Sequence, residues 1–327
     1  MTLFDLDGGN PLEGLDLTSA TGLLALMGQQ GIGAAKAISL ARRFGTWPTM
    51  AAASETELTA AAGKAATELA GRPEPYLQDP SWPDGVRAVG FFDDDFPERL
   101  RTIPGPPAVL WVTGSLPAAP AVAVVGTRDP TPYGRDVARL VATEAVREGF
   151  GVVSGLALGI DTIAHEAALD AGGLTWAVLG CGVDVPSPAV NKELAERMVA
   201  SGGGLLAEVP PGSSVSPQAL VARDRLQSGL SAATVVAQSG IPSGTLHTAR
   251  FTIEQGRVLA VARPPVNLQD EPASAGNLAL TDPEGIDPAV LKATGPTARA
   301  IASRRPAADV VLNSRRDLPA LWERARR

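Results

Sequence analysis

Short apolar runs recur between residues 122 and 262, and each is followed by a turn rich in Gly or Ser and then by a segment with helical periodicity. The runs are rich in Val, Leu and Ala and span residues 122–125, 151–153, 174–179, 204–207, 234–237 and 258–261. Runs that are apolar throughout and alternate with helices are typical of a parallel sheet whose two faces are both covered. The intervening segments predict helices over residues 134–148, 160–171, 189–201, 217–228 and 244–255. The pattern therefore predicts an α/β core over residues 121–262.

The chain before this core changes character. Residues 1–16 are polar and acidic, and we expect them to form a flexible arm. Residues 17–72 are rich in Ala and Leu and have helical periodicity, interrupted by a Gly-rich turn at residues 28–33. Such a unit is typical of a small all-α domain of the SAM-like or helix-hairpin-helix kind, in which backbone N–H groups at the turn can hold a nucleic-acid phosphate. A small helical module for packing or protein contact is the alternative interpretation.

Residues 73–120 are rich in Pro and contain two further runs with strand character, at residues 85–90 and 108–112. Between them lies the acidic run 91–96, whose three consecutive carboxylates could suggest a metal site. We interpret it as a solvated turn, because only alternate residues of an extended segment face the same way.

The chain after the core divides into two parts. Residues 264–296 are rich in Pro, Gly and Asp, which predicts irregular structure that completes a sheet domain spanning residues 73–296. Residues 297–327 contain eight arginines against three carboxylates, which predicts a locally basic C-terminal tail. A short helix is expected near residues 317–326. About 30 residues are too few for an independent domain.

Composition and charge narrow the classes of partner. The chain is 45% hydrophobic and 19% charged, which is typical of a globular protein. Its net charge of −7 means that any nucleic-acid site must be a local patch on an acidic body. No apolar run approaches the ~18–20 residues of a membrane helix, so we expect no membrane contact. The acidic N-terminus predicts no secretory leader.

The scarcity of cysteine and histidine bears on chemistry and location. The single cysteine, Cys181, excludes an internal disulfide and is interpreted as a small buried residue rather than a reactive thiol. A cytoplasmic location is therefore expected. With only two histidines besides, we predict no metal site.

The turn after the first core run carries residues suited to phosphate. Gly126 permits close approach of a ligand, Thr127 supplies a hydroxyl, and Arg128 supplies a planar fork that matches phosphate oxygens. The turn is not the Gly-x-Gly-x-x-Gly fingerprint, and an acidic residue does not follow the second run. No P-loop motif is present either, so we expect neither a dinucleotide cofactor nor any other cofactor.

The turn after the second run brings together Ser154, Gly155, Asp161 and His165. Asp161 and His165 are four residues apart and share one face of the predicted helix. They could form an acid–base or ligand pair at the helix start. Alternatively, Asp161 stabilises the helix N-terminus while His165 holds the turn by a hydrogen bond. In either case they are expected to shape the pocket.

Further candidate residues follow the later strands. Asn191 and Lys192 open one helix, and Arg223 and Arg225 lie on the next, separated by an acidic residue. The hydroxyl-rich start of the last core helix contributes Ser243, Gly244, Thr245 and Thr248. Helix N-termini of this kind bind anions, although Ser243 could be a simple cap.

These residues should line one edge of the sheet, since the carboxyl ends of parallel strands meet there. Neither a Ser/His/Asp arrangement nor a pair of catalytic carboxylates emerges. The pattern favours binding of a phosphodiester over cleavage of a bond, so we predict that the protein is not an enzyme.

The sequence resembles the DNA processing protein A (DprA/Smf) family. The resemblance rests on four motifs, VVGTR, SGLALGIDTIAH, VLGCG and SGTLHTA, at residues 124–128, 154–165, 178–182 and 243–249. The lead-in over residues 96–114 is also similar, and the likeness extends over about residues 17–285. It implies an extended Rossmann-like fold with a mostly parallel sheet.

The resemblance also implies a function. Members of this family bind and protect single-stranded DNA, form homodimers and load a RecA-type recombinase during natural transformation. By that resemblance Gly126, Thr127 and Arg128 hold a DNA phosphate, while Lys192, Arg223 and Arg225 extend a basic pocket. Its other wall is formed by Ser243, Gly244, Thr245 and Thr248.

The sequence departs from the family pattern at several positions. Ser187 stands where a Tyr is usual, Asp224 replaces an Asn between the two arginines, and Gln238 replaces a Glu at the end of the fifth strand. The winged-helix module of many members is replaced by the Arg-rich tail. Two alternatives stay open: a nucleotide-binding or nucleotide-hydrolysing enzyme of Rossmann-like fold, and a protein-interaction scaffold whose DNA pocket has decayed.

Overall fold

A computed structural model describes residues 14–72 and 82–327 of the chain. The chain divides into two compact units, Met1–Trp111 and Val112–Arg327. Most of the predicted N-terminal arm, residues 1–13, lies outside the described residues, as do residues 73–81. The domain boundaries inferred from the sequence stay predictions.

Residues 14–62 of the first unit form four short α-helices. They are α1 (Ala20–Met27), α2 (Ala34–Phe44), α3 (Trp47–Ala51) and α4 (Glu55–Ala62), followed by a 3₁₀ turn at Lys64–Leu69. Ser19 caps α1 by accepting from Gly22 N–H at 3.0 Å, and Ser54 and Glu57 form a reciprocal capping box on α4. The helices pack around buried side chains such as Leu23, Leu40 and Trp47. The predicted all-α N-terminal region is confirmed in its secondary structure.

The rest of the first unit contains β1 (Val86–Gly90), α5 (Glu98–Arg101) and the start of β2 (Val109–Gly114). The acidic run after β1 is a turn: Asp93 accepts a hydrogen bond from Gly90 N–H at 2.8 Å. Asp95 pairs with Arg87 at 2.5 Å. Two of these carboxylates are therefore engaged in structural contacts, in agreement with the interpretation of this run as a turn.

Seven strands of the second unit form a parallel sheet. They are β3 (Ala121–Gly126), β4 (Gly151–Ser154), β5 (Thr175–Leu179), β6 (Gly204–Ala207), β7 (Ala233–Gln238), β8 (Val258–Ala262) and β9 (Val310–Leu312). Their order is β6-β5-β4-β3-β7-β8-β9, and each adjacent pair is parallel. The six strands predicted for the core are all present.

Eight helices of the second unit accompany these strands. They are α6 (Pro132–Arg147), α7 (Ile160–Asp170), α8 (Lys192–Ala200), α9 (Pro217–Leu230), α10 (Thr245–Glu254), α11 (Ala275–Thr281), α12 (Gly295–Ala302) and α13 (Leu318–Arg326). Short 3₁₀ turns occur at Ala189–Asn191, Val266–Leu268, Pro272–Ser274, Pro288–Leu291 and Arg315–Asp317. None of the helices in the described parts of the chain is long and apolar enough to cross a membrane.

The residues of β3 alternate between two apolar clusters. Val122 and Val124 pack with residues of α6, α7 and α13, whereas Ala123 and Val125 pack with residues of α10 and α12. Since successive side chains of a strand point to opposite faces, the two clusters are the two covered faces of the sheet. The Rossmann-like α/β fold predicted from the sequence is confirmed.

The segment 264–296 contains more regular structure than expected. Its helix α11 carries Asn277, a fully buried amide. The Asn277 side chain accepts from Ser239 N–H at 2.6 Å and donates to the Ala262 carbonyl at 2.7 Å. One amide thus joins α11 to the ends of β7 and β8. Such long-range bonds leave no periodic pattern in the sequence.

Residues 297–327 differ from the expected tail because part of this segment joins the sheet. Strand β9 pairs with β8, with Ala260 opposite Val310. The predicted short helix is confirmed as α13. Its Leu318 and Trp322 are buried in the same apolar cluster as residues of α6 and α7. A three-residue strand is too short to show an apolar pattern, so only pairing with β8 reveals it.

We expect Trp322→Ala to lower the free energy of unfolding by about 3–5 kcal/mol, the usual cost of truncating a buried aromatic side chain. Trp322 is 2% exposed, and its ring centroid lies 5.7 Å from that of Phe150. Urea denaturation followed by circular dichroism measures the effect, with Trp322→Phe as the milder control. A loss below about 1 kcal/mol would contradict the tight packing of α13 on the sheet.

Candidate functional site

A cavity of about 460 Å³ opens at the carboxyl end of β3. Four segments surround it: the turn after β3, the start of α7, one face of α9 and the start of α10. The sequence-predicted residues that line it are Gly126, Thr127, Arg128, Asp161, Arg223, Ser243, Gly244, Thr245 and Thr248. The fold therefore brings together residues that are more than 100 positions apart in the chain.

The turn after β3 is held in one conformation. A Cβ at Gly126 would lie 2.5 Å from the Ile160 side chain and 2.7 Å from the Gln238 carbonyl oxygen, so only glycine fits. Thr127 N–H donates to that same carbonyl at 2.8 Å. The Arg128 side chain follows this anchored backbone and is exposed. Its guanidinium is thus available to an anion in the cavity.

The buried face of the cavity is formed by Arg223 between two carboxylates. Its guanidinium Nη2 lies 3.9 Å from Asp161 Oδ2, and its Nε lies 3.4 Å from Asp224 Oδ1. All three side chains are at most 9% exposed. Asp161 also accepts from Gly155 N–H at 3.1 Å and from Ala157 N–H at 3.3 Å. The charge of Arg223 is therefore largely compensated within the protein.

Burial changes the ionisation of both carboxylates. It raises the pKa of Asp161 above the ordinary value, against the opposing effects of Arg223 and the N–H donors. Burial also raises the pKa of Asp224 to about 7, assisted by Asp161 and opposed by Arg223, Arg128 and Arg250. Asp224 consequently changes charge near neutral pH, and the electrostatic potential of the cavity changes with it.

The start of α10 forms the opposite wall, and its backbone donors are mostly engaged. Ser243 Oγ accepts from Thr245 N–H at 3.2 Å, and the Ser243 carbonyl accepts from Leu246 N–H at 3.3 Å. His247 N–H donates to the Gly244 carbonyl at 2.9 Å. The sequence predicted an anion site built from hydroxyls and helix N–H groups, with a simple Ser243 cap as the alternative. The structure shows Ser243 acting as a cap, and it leaves the hydroxyls and the positive end of the helix dipole for a ligand.

Two predicted cations lie outside the cavity lining. The Lys192 side chain is 69% exposed on α8, 3.9 Å from the Glu196 carboxylate. The Arg225 guanidinium donates to Glu208 at 2.6 Å. Arg223 and Arg225 are separated by two positions on α9, so they project from different faces of the helix. Of these two arginines, Arg223 lines the cavity and Arg225 does not.

Ser154, Gly155 and Asn191 support the cavity from behind. Ser154 Oγ donates to the Val124 carbonyl at 2.7 Å, and a Cβ on Gly155 would collide with the Arg223 guanidinium. Asn191 Nδ2 donates to the Leu156 carbonyl at 2.8 Å. Leu156 has φ 62°, an unusual value for a residue with a side chain. The buried amide therefore stabilises a strained turn.

His165 does not line the cavity. Its Nδ1 lies 2.6 Å from Thr175 Oγ1 on β5, and the side chain is fully buried. Burial lowers the pKa of His165 to about 3, with a smaller contribution from Arg223 in the same direction. The imidazole is neutral at physiological pH. Of the two interpretations offered by the sequence, this favours a structural hydrogen bond over an acid–base pair with Asp161.

Part of the α9 face and one residue of α10 line the cavity without having been predicted from the sequence. Pro217, Leu220, Val221 and Gln227 line the cavity beside Asp224. Their spacing of three and four residues places them on one helix face, a signal that could have been used. His247 also lines the cavity, one residue before Thr248.

Gln238, a departure from the family pattern, lies outside the cavity lining. Its side-chain amide donates to Thr131 Oγ1 at 2.9 Å and accepts from Thr131 N–H at 2.9 Å. Thr131 is the N-cap of α6. The replacement of Glu by Gln therefore acts on the start of α6, whereas the replacement at Asp224 acts on the cavity itself.

Comparisons with known proteins agree with the motifs. Residues 87–284 match the family described as DNA recombination-mediator protein A. Protein Smf of Synechocystis is 41% identical over 171 residues, which are 50% of this chain and 43% of that protein. The DNA processing protein DprA of Bacillus subtilis is 38% identical over 176 residues, 53% of this chain and 59% of that protein. The chain spans about half the length of the curated relatives it matches.

Solved structures show the same fold. DNA processing protein A from Helicobacter pylori, described for its single-stranded DNA binding mode, is 28% identical with a TM-score of 0.52, covering 60% of this chain and 86% of that one. The DprA structure from Streptococcus pneumoniae is 24% identical with a TM-score of 0.61, covering 80% and 96%. The resemblance seen in the sequence motifs is confirmed: this chain belongs to the DNA recombination-mediator protein A family.

Proposed function

We propose that this protein binds single-stranded DNA through the cavity at the end of β3 and acts as a recombination mediator. The observation that carries the proposal is the convergence of the turn at Gly126–Arg128, Arg223 and the start of α10 on one cavity. Family membership supports the same conclusion, since the matched relatives are named as DNA processing proteins.

The chemistry of the cavity suits a phosphodiester. Arg128 presents an exposed planar fork, which binds phosphate oxygens in pairs. The hydroxyls of Thr127 and Ser243 and the positive end of α10 add donors and a favourable field. Leu220 and Val221 line the same cavity and offer apolar contact to a sugar or a base. Contacts of this kind are made to the sugar-phosphate backbone of the DNA, so we expect little sequence preference.

We propose that the protein binds the DNA strand without cleaving it. Asp161 and Asp224, the carboxylates that line the cavity, both lie against Arg223. His165 is neutral and bonded to Thr175 rather than to a hydroxyl of the cavity. The nucleotide-hydrolase alternative needs a glutamate shortly after Thr245, where the chain has Leu246, His247 and Thr248. These features support a holding role.

We infer further that the protein forms a homodimer, protects single strands and loads a RecA-type recombinase during natural transformation in the cytoplasm. The family name and the motif resemblance support the recombinase partner, and the buried, unpaired Cys181 suits a reducing compartment. Light scattering tests the dimer. Recombinase-driven strand exchange, with and without this protein, tests the loading.

Fluorescence anisotropy of a labelled single strand of about 35 nucleotides tests the DNA proposal directly. At about 50 and 200 mM salt, with duplex as competitor, we expect tight binding that is salt-sensitive and selective for the single strand. A lack of binding at the lower salt concentration would contradict the proposal. A nuclease-resistant protein complex in a pull-down would then favour the scaffold alternative.

Arg128→Ala is expected to weaken single-strand binding by about 1–3 kcal/mol, because charge-assisted hydrogen bonds to a phosphate are lost. Arg225→Ala removes an arginine that pairs with Glu208 outside the cavity lining and serves as the matched control with nearly unchanged affinity. Anisotropy measures both, and circular dichroism checks folding. Equal losses in the two folded variants would argue against the cavity as the binding site.

Single-strand affinity is expected to rise roughly tenfold as the pH falls from about 8 to about 6. Asp224 loses its negative charge over this range, since its pKa is about 7, and one charge beside a phosphate is worth about 1.4 kcal/mol at an intermediate dielectric constant. Asp224→Asn should bind tightly at both pH values and give a flat profile.

His247→Gln is the control for this pH profile. Burial lowers the pKa of His247, with further lowering by Lys292 and Arg250, so this side chain stays neutral over most of the range. The variant should keep the pH dependence of the wild type. A flat wild-type profile, or an unchanged slope in Asp224→Asn, would show that Asp224 does not act on the bound strand.

A further inference from the structure

A second cavity, of about 570 Å³, lies at the amino ends of β8 and β9, beside the last turn of α13. The candidate functional site is at the carboxyl end of β3, so the two cavities occupy opposite edges of the parallel sheet. The second cavity is formed by Gly256, Arg257 and Val258, by residues that flank β9, and by one side of α13.

The lining of this second cavity is rich in arginine. Its charged members are Arg257, Arg304, Arg324, Arg327, Asp309 and Glu323. Four guanidinium groups thus face two carboxylates, on a protein whose net charge is −7. We name this set of six residues the arginine groove. A local basic patch on an acidic body is the electrostatic signature of a site for anions.

The internal contacts of the groove leave part of its positive charge available. Arg304 Nη1 lies 3.0 Å from Asp309 Oδ1, and Asp309 Oδ2 accepts from Leu259 N–H at 2.9 Å, so this pair is part of the wall. Arg327 pairs with Glu323, but both side chains are more than two-thirds exposed, and such a pair contributes little in water. Arg324 has no carboxylate within 4.0 Å among the described residues.

We propose that the arginine groove is a second anion site, which binds phosphate groups of a single-stranded nucleic acid. The proposal rests on the proposed function in one respect, the identity of the ligand. The groove would take a more distant part of the same strand that occupies the cavity at β3. It would lengthen the contacted strand and increase the dependence of binding on salt.

The chemistry of the groove favours a nucleic acid over an acidic peptide. A peptide docks through apolar anchors that fill pockets, whereas among the described residues only two apolar side chains, Val258 and Ala320, line the second cavity beside the arginine groove. Guanidinium groups match phosphate oxygens in bidentate geometry. A row of arginines with little apolar surface therefore suits a phosphate backbone.

The groove depends on the folding of residues 297–327. Arg257 precedes β8, Arg304 precedes β9, and Arg324 and Arg327 lie at or beyond the end of α13. Pairing of β9 with β8 brings these distant positions to one place. The basic composition of the C-terminal segment thus becomes a defined surface rather than a diffuse charge.

Strand length distinguishes the two sites. Strand β8 has five residues, so the edges of the sheet are about 17 Å apart. Six nucleotides span about 20 Å at the spacing of stacked bases, and the path around a sheet covered by helices is longer than the sheet itself. A six-nucleotide strand therefore occupies one site at a time, whereas a strand of about 35 nucleotides can occupy both.

The test compares two variants that each lose two positive charges. Arg324→Ala with Arg327→Ala alters the groove, and Arg299→Ala with Arg316→Ala removes exposed arginines outside it. For the long strand we expect the groove variant to bind roughly five- to tenfold more weakly than the control variant at about 50 mM salt. Its salt slope should be smaller by about 1.4, since two phosphate contacts contribute about 0.7 each. Binding of the six-nucleotide strand should differ between the two variants less than binding of the long strand, because the short strand cannot bridge the two sites.

A second measurement is independent of DNA binding. Sodium tripolyphosphate is titrated into the Arg128→Ala protein, and the arginine Nε–H signals are followed by NMR, with Arg324→Ala used for assignment. We expect the Arg324 signal to shift and saturate. If the wild type binds no strand but this signal saturates, the groove stands as an anion site and the DNA function fails.

Two results would overturn the inference. In one, the Arg324 signal does not move and the groove variant binds the long strand as the control does. In the other, the groove variant loses thermal stability with unchanged binding, which would show that Arg324 and Arg327 only compensate the negative end of α13.

Discussion

The arrangement of the candidate site follows from the position of β3 within the parallel sheet. Its residues Ala121–Val125 are buried, and it lies between β4 and β7. The chain proceeds outward from β3 through β4 and β5 to β6, and then returns to place β7 on the other side of β3. The turns after β3 and β7 therefore lead to helices on opposite faces of the sheet, α6 on one and α10 on the other. The space between them is where α/β proteins of this topology bind ligands.

A buried arginine held by two carboxylates sets the electrostatics of this space. Removing Arg223 from water is unfavourable unless its charge is paired, and Asp161 and Asp224 provide that pairing. The same burial raises the pKa of both carboxylates. Because Arg223 is mostly compensated, the exposed Arg128 is the cation best placed to meet an incoming anion. The cavity combines a buried, nearly neutral floor with a charged rim.

The distribution of charge over the second unit shows how an acidic chain can present the basic lining of the arginine groove. Several arginines of the C-terminal segment are engaged in ion pairs with α6 and its end, such as Arg315 with Glu144 and Arg326 with Glu148. Arg324 lies on the other side of α13 and faces the arginine groove. Net charge alone therefore says little about which ligands the protein attracts.

The sequence by itself determined the six core strands, the five helices between and after them, and the turns that carry the candidate residues. Continuous apolar runs and helical periodicity are local signals, and the motif at residues 124–128 is informative without knowledge of the fold. Only the tertiary structure decided which side chains meet. It placed Arg223 in the cavity and turned Arg225 to Glu208, since two positions on a helix differ by about 200°. It also recruited β9 and Asn277 through long-range hydrogen bonds. Such contacts depend on distance in space rather than separation along the chain, so local pattern cannot predict them.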